Sequence, residues 1–277
     1  MGLRINTNVA SLGAQRSLGV NTRNTNDSLR KLSSGERITK AGDDAAGLAI
    51  SENLKSQIRG VRQAGRNAND AVSMIQTAEG GLNEISNIVI RLRELAVQAA
   101  SDTVGDTERK FTDLEFQQLK DEIDRISKSS EFNGIRLLDG TGGSLEFQIG
   151  IRNDPGLDRL RYDATANNST LLGLGMQEES VLTKVGAQNT LKKLDDALVQ
   201  VNGIRANLGA TQNRLQSAIN NLQVSDENLS SAKSRIRDVD VAAETADLTK
   251  NNILVQAGTS VLAQANQQPN IALKLLG

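Results

Sequence analysis

Apolar residues recur at every seventh position along two long stretches of the chain, and this repeat constrains the fold most strongly. In the first stretch the row consists of Leu54, Val61, Ala68, Ile75, Leu82, Val89 and Ala96. A heptad repeat places such a row along one side of a helix, where it meets a partner helix. The sequence therefore predicts a long helix over residues 44–100 that packs side by side with another helix.

A second apolar row accompanies the first, and its offset changes near Ile75. Ile58 and Val72 lie four residues after members of the first row, whereas Ala78 and Ile85 lie three residues after them. A change of heptad phase of this kind predicts a local change of supercoil or of packing partner.

The other stretch carries an equally regular row and predicts a long helix over residues 183–236. Its members are Ala187, Leu194, Val201, Leu208, Leu215, Leu222, Leu229 and Ile236. The two repeats span roughly 70–75 Å each at ~1.5 Å per residue, which predicts an elongated rod. A shorter helix is predicted over residues 107–130, with Phe116 and Ile123 on its apolar face and Asp106 as its N-cap. The fold class is mainly α, a long-helix coiled-coil rod.

Composition agrees with a helical rod and excludes several chemistries. The chain has four Phe, one Tyr, no Trp and only two Pro, so its core would rest on aliphatic residues in helices that few prolines interrupt. It has no Cys and no His, which excludes thiol catalysis, disulfides, Cys/His metal sites and imidazole chemistry. The net charge is −1, and acidic and basic residues are interspersed, so the sequence has no basic cluster of the kind that binds nucleic acid.

The middle of the chain changes to a two-residue period, which predicts a small β-hairpin region over residues 134–163. Apolar residues alternate with polar or small ones at Ile135, Leu137, Leu145, Phe147, Ile149 and Ile151, and again at Leu160 and Tyr162. Such alternation is typical of half-buried strands. The glycine-rich stretch 139–143 predicts a turn that joins the strand at Ile135 to the strand at Leu145, and the last pair predicts a further short strand.

The two ends of the chain differ from the long repeats, because sparse apolar residues stand among many Asn, Gln, Ser and Thr. The predicted polymerisation anchors are Ile5, Val9, Leu12, Leu29, Leu32, Val261, Leu262, Leu273, Leu275 and Leu276. Alone, such segments bury too little apolar area to offset chain entropy. We expect them to be largely disordered in the free monomer and to form a terminal α-helical coiled coil on polymerisation. The alternative is that terminal helices dock on their own rod.

The sequence predicts no catalytic, cofactor-binding or metal-binding residues. The Gly140 stretch lacks the spacing of a phosphate-binding loop. The carboxylate pairs Asp43/Asp44 and Asp238/Asp240 fit helix N-termini better than metal sites. Residues 1–7 lack the apolar region of a cleavable signal peptide, and no apolar run approaches the roughly 18 residues of a membrane span. Export would therefore need a dedicated system.

Several strings of the chain resemble those of bacterial flagellins, and together they cover both ends and nearly the whole length. They are residues 5–8 (INTN), 32–38 (LSSGERI), 43–47 (DDAAG), 66–70 (RNAND), 93–98 (RELAVQ), 131–134 (EFNG) and 256–266 (QAGTSVLAQAN). The resemblance implies a non-enzymatic structural subunit that polymerises into the extracellular flagellar filament for motility. The short stretch between the predicted helices leaves no room for a large outer domain.

The resemblance also implies a domain layout and a set of partners. Residues 1–42 and 237–277 would form the terminal coiled-coil domain of the filament core, and residues 43–236 would form the rod domain. The implied partners are other copies of this chain in a helical homopolymer, an export chaperone, the flagellar export apparatus, and hook-associated and cap proteins.

Family members are bound by a vertebrate Toll-like receptor through the rod domain, and residue matching carries that contact to Arg91, Leu95 and Glu115. Ile90 and Thr211 depart from the pattern of recognised members, which argues against detection. From the residues alone, Leu95 fits a broad core stripe and a surface contact equally well.

Two other functions compete with the filament subunit. A hook–filament junction protein shares the terminal pattern, and a surface-binding coiled-coil module would use the same heptads. A filament-associated protease would need a His/Glu zinc motif, which the sequence lacks.

Overall fold

The computed structural model describes the backbone of residues 7–274 and the side chains of residues 7–267. The helices are α1 (Val9–Ser34), α2 (Ala45–Ala99), α3 (Asp106–Ser129), α4 (Lys184–Arg237) and α5 (Val241–Lys274). The strands are β1 (Glu131–Phe132), β2 (Ile135–Arg136), β3 (Ser144–Gln148) and β4 (Arg159–Asp163). The fold is therefore mainly α, with long helices and small antiparallel sheets, as predicted. Within the described part of the chain, no helix is long and apolar enough to cross a membrane.

The chain divides into two compact units. Unit 1 comprises Met1–Ile58 and Asn228–Gly277, and unit 2 comprises Arg59–Glu227. These boundaries fall inside α2 and α4, whereas the predicted division at residues 42 and 237 follows helix ends. Both helices continue without interruption across these boundaries. The sequence therefore has no helix end, proline or loop there that would indicate a change of unit.

The core of unit 2 is built on the two predicted heptad rows. The row of α2 is buried from Val61 to Ala96, and the row of α4 is buried from Ala187 to Leu215. Phe116 and Ile123 of α3 join the same core. The heptads therefore indicated correctly which faces of the long helices are apolar and buried. Beyond Ile219 the row of α4 is only half-buried, at Leu222 and the later members.

Ile58 is buried four residues after Leu54, but from Ala64 onward the second apolar row of α2 keeps an offset of three, so the predicted change of heptad phase near Ile75 is wrong. Ala64 and Ala71 are buried three residues after members of the first row. The same row continues through Ala78, Ile85, Leu92 and Ala99. Sequence reasoning favoured the larger Val72, which is only half-buried. An alanine gives a weak hydropathy signal even where its small side chain lies against another helix.

The β region contains two antiparallel hairpins with a different pairing from the predicted one. β1 pairs with β2 around Asn133 and Gly134, which have φ of 51° and 77°. β3 pairs with β4, with Phe147 opposite Leu160. The predicted hairpin between β2 and β3 around residues 139–143 is therefore wrong. The predicted strand at Leu160 and Tyr162 is confirmed as β4.

Turn chemistry explains this pairing. Asn-Gly is the strongest two-residue signal for a hairpin, because both turn residues need positive φ. It turns β2 back onto β1. The stretch 139–143 is a separate turn, in which Asp139 Oδ1 accepts hydrogen bonds from the backbone N (2.9 Å) and Oγ1 (2.7 Å) of Thr141. Leu137 and Leu138 are both buried, which ends the strict alternation before that turn.

The turn between α2 and α3 is organised by Arg109. Its side chain donates to the carbonyls of Ala99 and Ser101, both at 2.9 Å, and so satisfies the C-terminus of α2. The third donor pairs with Asp106 at 2.9 Å. Asp106 is the first residue of α3, and the N-cap is Gly105, so the predicted cap at Asp106 is wrong by one position. The carboxylate pairs with Arg109 instead of capping the helix.

Two buried polar side chains of α3 hold residues 177–181 against it. Asp113 Oδ1 accepts hydrogen bonds from Val181 N (2.8 Å) and Ser180 Oγ (2.9 Å). Lys120 Nζ donates to the carbonyl oxygens of Gln177 (3.0 Å) and Glu179 (2.8 Å). Burial lowers the pKa of Lys120 below its usual value, although the carboxylates of Asp113 and Glu179 oppose the shift.

In unit 1, the loop after α1 is fixed to the start of α2. Asp44 Oδ1 accepts a hydrogen bond from Gly47 N at 2.9 Å, so of the predicted pair Asp43/Asp44 it is Asp44 that caps α2. Asp43 binds the loop itself, through Thr39 Oγ1 at 2.9 Å and the backbone N of Lys40 at 3.2 Å. The hydrogen bond from the Thr39 hydroxyl is the main reason that the pKa of Asp43 lies below its usual value.

The same loop pairs with the segment between α4 and α5. Arg37 N donates to Arg237 O at 2.7 Å, and Val239 N donates to Gly35 O at 3.0 Å. The Arg237 side chain forms ion pairs with Glu36 and with Glu52 of α2. The hydrogen bond to Glu52, followed by that to Glu36, raises the pKa of Arg237.

We predict that Lys120→Met lowers the free energy of unfolding by about 1–3 kcal/mol, because it removes the ammonium group that donates to the carbonyl oxygens of Gln177 and Glu179. Urea unfolding followed by circular dichroism measures the change. Lys128→Met is the control, because its exposed ion pair with Asp124 contributes at most about 0.5 kcal/mol. Equal effects of the two variants would contradict the role of Lys120.

We predict opposite effects for two glycine-to-alanine changes within α2. At Gly47 a Cβ would lie 2.8 Å from Cδ1 of the buried Ile38 and would overlap the capping carboxylate of Asp44, so losing the cap should cost roughly 1 kcal/mol. At Gly65 a Cβ meets open space, and alanine should stabilise the helix by up to about 1 kcal/mol. Thermal unfolding and hydrogen exchange of residues 38–50 measure both. A stable Gly47→Ala protein would show that the junction tolerates a side chain there.

Candidate assembly interface

The two terminal helices of the chain pair with each other inside unit 1. Asn8 Nδ2 donates to Ala265 O at 2.7 Å, and Ser11 Oγ donates to Asn266 Oδ1 at 2.7 Å. Near the other end of α1, Lys31 forms an ion pair of 3.5 Å with Glu244. Because residue numbers rise along α1 as they fall along α5, the two helices are antiparallel.

Unit 1 buries very few apolar side chains. Among its described residues, the buried hydrophobic ones are Ile38, Ile58 and Ala265. The buried residues of α1 are Ser11 and Ser28, both polar. A pair of helices held by polar contacts gains little from the hydrophobic effect, which is the dominant favourable term in folding.

Large apolar side chains instead lie exposed along both terminal helices and the start of α2. They are Val9, Leu12, Val20, Leu29, Ile50, Val241, Ile253, Leu254 and Val261. Helical spacing puts Val9, Leu12 and Val20 on one face of α1 and puts Ile253 and Val261 on one face of α5. Contiguous exposed apolar faces of this kind mark interaction sites in soluble proteins.

The structure places the predicted anchors in different environments. Val9 (70% exposed), Leu12 (54%), Leu29 (49%) and Val261 (56%) are open to solvent. Leu32 and Leu262 are half-buried. Ile5, Leu275, Leu276 and the side chain of Leu273 lie outside the described residues. That these residues anchor a polymer stays a prediction.

Sequence reasoning missed Val20, Ile50 and Val241 as exposed apolar residues. The signal for Val20 was its helical spacing from Val9 and Leu12. Ile50 was absorbed into the predicted long helix, and Val241 directly follows Asp240, which was weighed only for its charge. Asp240 caps α5, because its Oδ1 accepts hydrogen bonds from the N of Ala242 (2.9 Å) and Ala243 (3.2 Å).

The structure describes the terminal segments as helices within a single chain, where we predicted disorder before assembly. Pairing of α1 with α5 therefore does not require a second copy in this structure. The composition of the pair gives the physical reason for the difference, because polar links can align two helices without providing a core. Disorder of the ends in the free monomer stays a prediction, and their low apolar burial supports it.

The residues matched to immune-receptor contact lie in unit 2, on and beneath its surface. Arg91 and Glu115 are exposed and form an ion pair of 2.9 Å between α2 and α3. Arg91 also pairs with Glu94 at 2.9 Å, and hydrogen bonds to both carboxylates raise its pKa. Leu95 is only 2% exposed and belongs to the core, so the surface alternative for Leu95 is wrong. Receptor contact by Arg91 and Glu115 stays a prediction.

Comparison with known proteins identifies the family of this chain. The chain matches the model of the bacterial flagellin N-terminal helical region over residues 5–142 and the model of the C-terminal helical region over residues 191–276. A flagellin of Halalkalibacterium halodurans is 44% identical over 98% of this chain and 99% of that protein. A flagellin of Bacillus subtilis is 45% identical over 99% of this chain and 100% of that protein.

The fold is also similar to that of a flagellin of known structure. The crystal structure of Bacillus cereus flagellin has 35% sequence identity and a TM-score of 0.51, and the match covers 57% of this chain and 88% of that one. The matches to flagellins extend over nearly the whole length of both proteins. They therefore do not favour a hook–filament junction protein or a surface-binding module. The chain therefore belongs to the bacterial flagellin family and is a structural subunit of the flagellar filament.

Proposed function

We propose that the α1–α5 pair of unit 1 is the surface through which copies of this chain polymerise. The observation that supports this most strongly is the exposure of Val9, Leu12, Ile253 and Val261 on a pair of helices with almost no core. Neighbouring copies would cover these faces and supply the missing apolar burial. Each fully buried Val or Leu contributes roughly 1.5–3 kcal/mol, so a few residues per subunit suffice for strong association.

Polymerisation through these helices produces an open filament. The exposed faces of α1 and α5 differ from each other, so we propose that the contacts between copies are heterologous, and such contacts generate an open helical filament when their rotation does not close a ring. In this proposal the predicted terminal domain, residues 1–42 and 237–277, forms the filament core. The predicted rod domain, residues 43–236, has its own core in unit 2.

We further propose the partners and the location that the family resemblance implies. The chain is exported through the flagellar export apparatus, with an export chaperone that covers the exposed apolar face of α5 until assembly. Hook-associated and cap proteins contact it at the filament ends, and the finished filament is extracellular and drives motility. Members of the family are structural, and we assign the chain no catalytic role.

We predict that Leu12→Ser and Val261→Ser each raise the critical concentration for polymerisation at least about tenfold, because each removes one buried apolar side chain from the contact. Sedimentation of polymer from monomer at a series of protein concentrations measures this value. Since both residues are exposed in the single chain, the thermal unfolding of unit 2 should not change.

Leu172→Ser is the matched control, because Leu172 is 73% exposed but belongs to unit 2 and to neither terminal helix. It should polymerise at the wild-type critical concentration. If all three variants polymerise like the wild type, the α1–α5 faces are not the assembly surface. A defect in Leu172→Ser alone would move the assembly contact to unit 2.

A further inference from the structure

The chain contains the dipeptide Asn-Gly twice, in opposite backbone settings. Asn133-Gly134 forms the exposed turn between β1 and β2, and Asn202-Gly203 lies in the interior of α4. All four residues are exposed to solvent. Water therefore reaches both dipeptides, and the backbone conformation distinguishes them.

We infer that Asn133 is a site of spontaneous covalent modification by intramolecular deamidation. The backbone N of Gly134 attacks Cγ of Asn133, and a new C–N bond closes a five-membered succinimide ring. The C–N bond of the side-chain amide breaks, and its nitrogen leaves as ammonia with the proton from Gly134 N. One water molecule then adds across either ring C–N bond, which yields aspartate or isoaspartate. The reaction needs no oxidant, metal or other co-reactant.

Gly134 makes ring closure accessible at this turn. It has no Cβ to obstruct the attack, and the space beside its Cα is open. The hairpin on either side contains only two residue pairs, Glu131 with Arg136 and Phe132 with Ile135. Because Asn133 and Gly134 are both exposed, a rearrangement of these two residues alone needs no loss of core packing, so the turn samples the geometry in which Gly134 N reaches Cγ at low free-energy cost.

The second dipeptide is protected by its helix. In α4 the N–H of residue 203 belongs to the i→i−4 ladder, and the helical ψ of Asn202 fixes that N away from the side-chain Cγ. Val201 and Leu208 on either side are buried in the core of unit 2. Opening the helix at this point requires disruption of the core, so the reactive geometry is rare.

Deamidation changes both charge and backbone at the turn. Asn133 borders the same groove as Asp70 and Glu146, so the product places a further carboxylate beside two others. Isoaspartate also adds one carbon to the main chain, and a two-residue turn cannot then keep Phe132 opposite Ile135. Both of these side chains pack against the core of unit 2, so the modified subunit loses packing there.

Incubation of the full-length monomer at mildly alkaline pH, followed by proteolysis and mass spectrometry, tests the inference. We expect amide-to-acid conversion at residue 133 to exceed conversion at residue 202 at least about tenfold, because of the difference in opening cost. Chromatography should resolve aspartate and isoaspartate forms of the peptide that contains residue 133. Asn133→Gln should abolish conversion in that peptide and leave the peptide with residue 202 unchanged.

The same incubation in concentrated urea removes the fold and leaves both dipeptides in place. The ratio of the two conversion rates should then fall to about one. Equal rates in the folded protein, whether both fast or both slow, would overturn the inference. A ratio that persists in urea would also overturn it, because the fold would then not be its cause.

Discussion

The shortage of buried apolar surface in unit 1 is the constraint on which the rest of the structure depends. Its described residues bury only Ile38, Ile58 and Ala265 among hydrophobic side chains, while valines and leucines of α1 and α5 face solvent. Conformational entropy opposes the ordering of every residue in two long helices, and polar links such as that from Asn8 to Ala265 contribute little against it. In the assembly that we propose, neighbouring copies cover these apolar faces and supply the burial that unit 1 lacks.

Unit 2 stands in contrast, because it holds a continuous core of its own. The heptad rows of α2 and α4 meet Phe116 and Ile123 of α3, and buried side chains such as Asp113 and Lys120 fix the intervening segment. We therefore expect unit 2 to be folded before assembly and unit 1 to gain most of its stability from assembly. The contacts of Asp44, Gly47 and Arg237 link the segments of unit 1. They show that residues 32–38 and 43–47, which resemble flagellin strings, form this junction.

Local patterns in the sequence predicted the helices and their buried faces, because helical periodicity depends on residues close in the chain. The strand pairing was mispredicted, because it depends on the choice between two turns. Residues 133 and 134 counted only toward the resemblance to flagellins, whereas the glycine-rich stretch 139–143 predicted the hairpin turn. Leu95 could not be assigned, since its burial depends on tertiary packing that a local pattern does not contain. The row through Ala64 and Ala71 was missed because alanine is weakly hydrophobic.

Hydrogen exchange of the terminal helices, compared between free monomer and filament, tests the central claim most directly. If α1 and α5 lack a core until neighbouring copies supply one, their amides should exchange rapidly in the monomer and become protected in the filament. The amides of α2 between Val61 and Ala96 should be protected in both states, because unit 2 has its own core. Strong protection of α1 and α5 in the free monomer would contradict the claim.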